Sequence, residues 1–228
     1  MTLTMSGNTF DLRLNAPDLI FDLDGTLIDS APSILTCIKN TILAAGFEPV
    51  HPIDASLIGP PLMTALASIT GLADEETLSS LAAAFKACYD EDGLRATLPC
   101  LGIPDVLRQL HKHGTRLHLA TNKRMHPTRA ILDMLGWNEW FTSVYTLDRD
   151  SPGHADKSAM LGHLLRENCI ASADAAYVGD TREDAVAAAS NGLHFIAADW
   201  GYGNFDNWPG VASWSRATSP ADLLAVLR

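Results

Sequence analysis

The chain has 228 residues, 47% hydrophobic and 19% charged, and carries a net charge of −11. That length holds a single core, or a core with a sizeable insert, at an ordinary globular balance. The acidity and the lack of any Lys/Arg run argue against nucleic acid or an anionic membrane as main partner. No apolar run approaches the roughly 18 residues of a membrane span. The first ten residues show neither a basic nor an apolar leader region, and the four cysteines are scattered without Cys-x-x-Cys spacing. The expectation is a cytoplasmic protein without disulfides.

In chain order, Phe10, Leu12 and Leu14 alternate with polar residues and suggest a short strand. An apolar strand is expected at 19–23, between Pro17 and Gly25. Residues 31–97 read as helices only: Ile34, Ile38 and Ile42, then Leu62, Leu66 and Ile69, then Leu78, Leu81 and Phe85 recur at helical spacing. Breakers at Gly46, Pro49, Pro52, Gly59-Pro60-Pro61 and Gly71 divide them. From Leu98 helices and strands alternate. Helices are expected at 103–113, 127–135, 155–167 and 183–190, and strands at 117–121, 144–147, 176–179 and 194–197. A last helix begins at Ser219-Pro220. Such repeated units imply a parallel sheet. The fold class is therefore α/β: a Rossmann-like parallel sheet core, residues 1–29 and 98–228, with an inserted helical cap domain, residues 30–97.

Ligands of open α/β sheets sit beyond the carboxyl ends of the strands. Four polar clusters fall there or beside it: Asp22-Leu23-Asp24-Gly25-Thr26, Thr121-Asn122, Asp156-Lys157, and Gly179 through Asp184. Residues two apart on a strand point to one side. Two acids so placed repel and raise each other's pKa unless a cation lies between them. The reading is a metal site in which one acid is a nucleophile. Lys157 in the first turn of a helix opposes the macrodipole, which a nearby anion explains. Thr181-x-x-Asp184 has the form of a capping box, so Asp184 has a structural role open to it as well. The eight histidines show no His-Glu-x-x-His spacing and read as surface or packing residues.

These clusters, in this order, resemble the haloacid dehalogenase superfamily in its phosphatase branch. The wider stretches FDLDGTLIDS (21–30), TNK (121–123), HADK (154–157), GDTRED (179–184) and WGYG (200–203) are similar to its phosphoglycolate phosphatase group. The resemblance implies a Mg²⁺-dependent phosphatase of a small phosphomonoester, with 2-phosphoglycolate the first candidate. It makes Asp22 the nucleophile, giving an aspartyl-phosphate, and Asp24 the general acid and base. Mg²⁺ would be held by Asp22, Asp180 and the backbone carbonyl of Asp24, with Asp184 behind them or an occasional ligand. Thr121, Asn122 and Lys157 would hold the phosphoryl oxygens. Lys123 and Arg124 either reach substrate or form a solvated face; Arg124 stands where the group commonly has proline. The Gly59-Pro60-Pro61-Leu62 loop is either an interhelical turn or a substrate contact, and WGYG reads as structure. The expected partner is a small phosphorylated metabolite, and the expected state a monomer or homodimer. A nucleotidase, a β-phosphoglucomutase-like phosphomutase and, more remotely, a phospho-receiver are the rival readings.

Overall fold

The computed structural model describes residues 17–206 and 208–227. The strand expected at Phe10 to Leu14 lies outside them. Six parallel strands form one sheet: β1 (Asp18–Phe21), β4 (Arg116–Thr121), β5 (Phe141–Thr146), β6 (Ala175–Gly179), β7 (His194–Ala198) and β8 (Trp214–Ala217). Their order is β5-β4-β1-β6-β7-β8. The chain thus runs outward from β1 to one edge, returns, and runs outward to the other. The reversal lies between β1 and β6, and a crevice opens there at the strands' carboxyl ends.

Residue alternation divides the strand side chains between two cores. Leu19, Phe21, Leu117, Leu119, Ala176, Val178 and Ile196 face one core. Ile20, Ala120, Tyr177, Phe195 and Ala197 face the other. The first face is covered by α4 (Ile103–Lys112) and α5 (Met125–Leu135), the second by α6 (Lys157–Glu167) and α7 (Arg182–Ser190). On α4 the buried residues are Ile103, Val106, Leu107 and Leu110, spaced i, i+3, i+4, i+7. Each such burial contributes about 1.5–3 kcal/mol.

Between β1 and α4 the chain forms α1 (Ala31–Ala44), α2 (Leu62–Thr70) and α3 (Glu75–Cys88). Ile38 and Ile42 of α1, Leu66 and Ile69 of α2, and Leu78, Leu81 and Phe85 of α3 are buried together. These are the apolar positions whose spacing predicted helices. Gly71, in the left-handed region at φ 69°, ends α2. Asp74 caps α3 by accepting from Thr77 N at 2.8 Å. The chain crosses to these helices and back through a two-stranded antiparallel ribbon, β2 (Ile28–Asp29) against β3 (Leu98–Pro99).

Two elements differ from expectation. β8 was not foreseen, because Trp214-Ser215-Arg216-Ala217 carries no apolar alternation. The last segment, Pro220–Leu227, winds as a 3₁₀ helix.

Candidate active site

Asp22 continues β1 by one ladder bond, its N–H donating to Val178 O at 2.9 Å. The chain then turns sharply, with Thr26, Leu27 and Ile28 all donating to Leu23 O. Gly25 takes φ 82° in that turn, and a Cβ there would overlap the Asp180 carboxylate. A glycine is needed both for the conformation and for the approach.

The end of β6 brings Asp180 beside Asp22, and the first turn of α7 adds Asp184. One carboxylate oxygen from each lies within 4.8 Å of the others, and all three residues are buried. Lys157, first residue of α6, donates from Nζ to Asp22 Oδ1 at 3.1 Å and to Asp184 Oδ1 at 2.5 Å. Burial opposes its charge, but Asp184 and Asp22 outweigh that and hold its pKa well above the usual lysine value.

The three acids are not equivalent. Asp184 accepts from four donors: Lys157 Nζ, Tyr177 OH at 3.2 Å, Thr181 N at 3.0 Å and Thr181 Oγ1 at 2.6 Å. Its capping box is formed, and the same carboxylate anchors Lys157. Asp180 accepts from Tyr202 N at 2.8 Å and Thr26 Oγ1 at 3.3 Å. Asp22 accepts from Lys157 alone among the described residues. Burial pushes Asp22 up to about 8, with Lys157 opposing and the other acids adding. Burial likewise pushes Asp180 up to about 7, and Asp184 adds to it. One lysine does not offset this many buried carboxylates. A hard, oxygen-seeking divalent cation suits the donor set, and Asp22 and Asp180 have the free lone pairs to hold it.

Asp24 is held separately. Lys123 Nζ donates to its two oxygens at 3.0 and 3.2 Å, and Ser30 Oγ donates to Oδ1. Lys123 is 7% exposed, donates also to Tyr89 OH at 2.8 Å, and lies over the Tyr89 ring at 4.4 Å. Burial works against its charge, but the Asp24 carboxylate and the Tyr89 phenol together outweigh it, so its pKa is raised. Of the two roles open to Lys123, the solvated face is excluded. Arg124 forms a fork to Asp90 at 2.6 and 3.1 Å.

Thr121 is buried at the end of β4, where its Oγ1 accepts from Lys123 N at 3.2 Å. Asn122 donates from Nδ2 to Glu183 Oε1 at 3.3 Å, and its buried Oδ1 has no partner among the described residues. The WGYG segment is structural, as read, but its service is to the site. Trp200 Nε1 donates to Thr26 O at 2.9 Å, and Tyr202 OH accepts from the N–H groups of Ser30 and Ala31 at 2.8 and 2.9 Å. A Cβ on Gly203 would overlap Asp180 O. Spacing gave no sign of Thr26, Ser30 or Tyr202 as partners of the acids, or of Tyr89 as a partner of Lys123.

A cavity of about 320 Å³ opens over this cluster. Asp22, Asp24, Thr121, Asn122, Lys123 and Lys157 line one side. Ile34, Leu57, Ile58, Phe85 and the Gly59-Pro60-Pro61-Leu62 loop line the other.

Comparison with known proteins bears on the family and the fold. The chain is 30% identical to phosphoglycolate phosphatase 1 of Pseudomonas aeruginosa over 192 residues, 81% of this chain and 70% of that one. It is 28% identical to a 5'-nucleotidase of the same organism over 197 residues, covering 86% and 88% of the two chains. A haloacid dehalogenase-like hydrolase of Streptococcus pneumoniae superposes with a TM-score of 0.82 at 24% identity, over 94% of this chain and 99% of that chain, and so shares the fold. No described helix is long and apolar enough to cross a membrane. Residues 19–198 match the model of the haloacid dehalogenase-like hydrolases, and the chain belongs to that family.

Proposed function

We propose that the protein is a Mg²⁺-dependent phosphatase of small phosphomonoesters that works through an aspartyl-phosphate on Asp22. The observation that carries this reading is the pairing of two buried lysines with two different acids. Lys157 sits on Asp22 and Lys123 on Asp24, at the floor of one cavity.

Asp22 is the nucleophile: its oxygen bonds to phosphorus as the bond to the leaving oxygen breaks. Lys157, fixed by Asp184, offsets negative charge that builds on the phosphoryl oxygens, with Thr121 and Asn122 beside it. Asn122 is placed to do so once its amide turns from Glu183. Asp24 gives a proton to the leaving oxygen, then takes one from the water that hydrolyses the acyl phosphate. Bound between Asp22 and Asp180, Mg²⁺ would keep both carboxylates ionised and draw charge from the phosphoryl group. Asp24 would add its backbone carbonyl to that site, and Asp184 would stand behind it. Chelation with EDTA should stop turnover and Mg²⁺ should restore it; full activity in metal-free buffer removes the metal from the mechanism.

For substrate, 2-phosphoglycolate remains the first candidate, supported by the phosphoglycolate phosphatase relatives. A nucleoside monophosphate is the second, favoured by the carbon surface of Ile34, Leu57, Ile58 and Phe85 across from the acids. That wall suits a base or sugar ring better than a two-carbon acid. Ranking kcat/KM for both across a phosphomonoester panel decides between them. Isomerisation of a sugar phosphate without phosphate release would replace both with the mutase reading.

A further inference from the structure

We propose that Asp150, His154 and His163 form a second cation site, for a divalent transition metal of the zinc class, separate from the acidic cluster around Asp22. One ligand atom from each lies within 4.8 Å of the others. Asp150 Oδ2 is 3.1 Å from His154 Nε2 and 3.5 Å from His163 Nδ1. Bonds of about 2.0–2.1 Å at tetrahedral angles place neighbouring donors about 3.3–3.4 Å apart. The observed spacings bracket that value.

A second observation points the same way. The His154 side chain is only 10% exposed, and its Nε2 has no hydrogen-bond partner among the described residues. The nearby Asp150 oxygen lies within ion-pair distance but outside hydrogen-bond geometry. A buried ring nitrogen without a partner is costly. A metal ion between nitrogen and carboxylate removes that cost.

The surroundings hold the ligands in place. His154 N donates to Leu147 O at 2.8 Å, and Gly153 passes so close to that carbonyl that a Cβ would overlap it. The two imidazole rings meet edge to face, 5.1 Å between centroids. On the far side of the His163 ring, Nε2 faces Glu167 Oε2 at 3.6 Å. Glu167 is itself fixed by Arg149 at 2.8 and 3.0 Å. That is ion-pair and not hydrogen-bond distance; drawn in to hydrogen-bond distance, a carboxylate there is the usual orienting partner of a metal-bound histidine. Asp150 and His163 are 39% and 36% exposed, which leaves room for water as a fourth ligand.

Two imidazoles and one carboxylate favour Zn²⁺, Co²⁺ or Ni²⁺ over Mg²⁺, whereas the oxygen-only cluster at Asp22 favours Mg²⁺. Ligand type thus sorts two metals within one chain. His154 lies three residues before Lys157, so an ion there would brace the segment that presents Lys157.

The test uses Co²⁺ as probe on the whole protein, with Mg²⁺ in large excess to occupy the acidic cluster. The expected result is one equivalent of Co²⁺ bound with visible d–d absorption. His163→Ala and His154→Ala should each weaken it at least about tenfold, while Asp22→Asn leaves it unchanged. Should His154→Ala fail to fold by circular dichroism, the more exposed His163→Ala and His163→Gln decide. No Co²⁺ uptake by the wild-type protein would overturn the proposal. So would uptake that survives the folded histidine variants, or uptake that disappears in Asp22→Asn.

Discussion

On the sheet side of the cavity the polar groups are interlinked: Asp184 has four donors, Lys157 bridges two acids, and Asp180 is gripped by the Tyr202 backbone. On the cap side, Ile34, Leu57, Ile58 and Phe85 present carbon, and the polar groups of the insert's helices at the cavity are those of Lys86 and Tyr89. The two halves divide the work. Charges held by hydrogen bonds from several elements cannot drift, which phosphoryl transfer requires. An apolar wall discriminates weakly and tolerates change, about 1–3 kcal/mol per methylene-sized difference. Chemistry is therefore expected to be brittle to substitution on the sheet side, and substrate choice to be adjustable on the cap side.

The sharpest break of this contrast is Asp22→Asn. It should lower kcat at least about 10⁴-fold while circular dichroism and Tm stay near wild type. Wild-type turnover by the folded variant would remove the nucleophile. Lys157→Met should lower kcat about 10²–10³-fold on every substrate alike, as loss of a charge-stabilising donor does. A loss confined to one substrate would move Lys157 into the recognition surface. On the other side, Leu57→Ala should change the ratio of kcat/KM between 2-phosphoglycolate and nucleoside monophosphates by about 10–200-fold. An unchanged ratio would mean that the cap does not choose.

The smallest effect belongs to a group away from the cavity. His118 is fully buried, 2.9 Å from Asp18 Oδ1 and 2.8 Å from Ser143 Oγ. Burial lowers its pKa from 6.5, against the pull of Asp18. The unfolded chain then binds a proton below about 6.5 that the folded chain refuses. Stability from this group is present above that pH and is lost as pH falls through the folded pKa. Urea melts from pH 7.5 to 5.5 should show this decline, at most about 1.4 kcal/mol per pH unit, and His118→Gln should flatten it.

Much of this was legible in the sequence, for a physical reason. The core strands read as short apolar runs because the sheet is buried on both faces, the helices have periodic apolar faces because each buries one side, and the acids are local to strand ends. Apolar spacing likewise located α1, α2 and α3. What stayed hidden depends on distant partners. Trp214–Ala217 becomes a strand only because β7 offers an edge to pair with. Lys123 follows Thr121 in a loop, and nothing local decides whether its ammonium meets water or Asp24; Tyr89, 34 residues away, takes part in that decision. The Asp184 capping box was visible, but its second duty to Lys157 depends on a residue 27 positions earlier.

Lys123 has a further consequence. Its backbone belongs to the sheet end, while its Nζ bonds at once to Asp24 and to the Tyr89 phenol of the helical insert. Any withdrawal of the insert must break the phenol bond and leave the ammonium to the carboxylate and incoming water. In the proposed mechanism, proton transfer at Asp24 is thereby interlocked with the position of the helices above it, through one side chain that latches the helical insert to the acid.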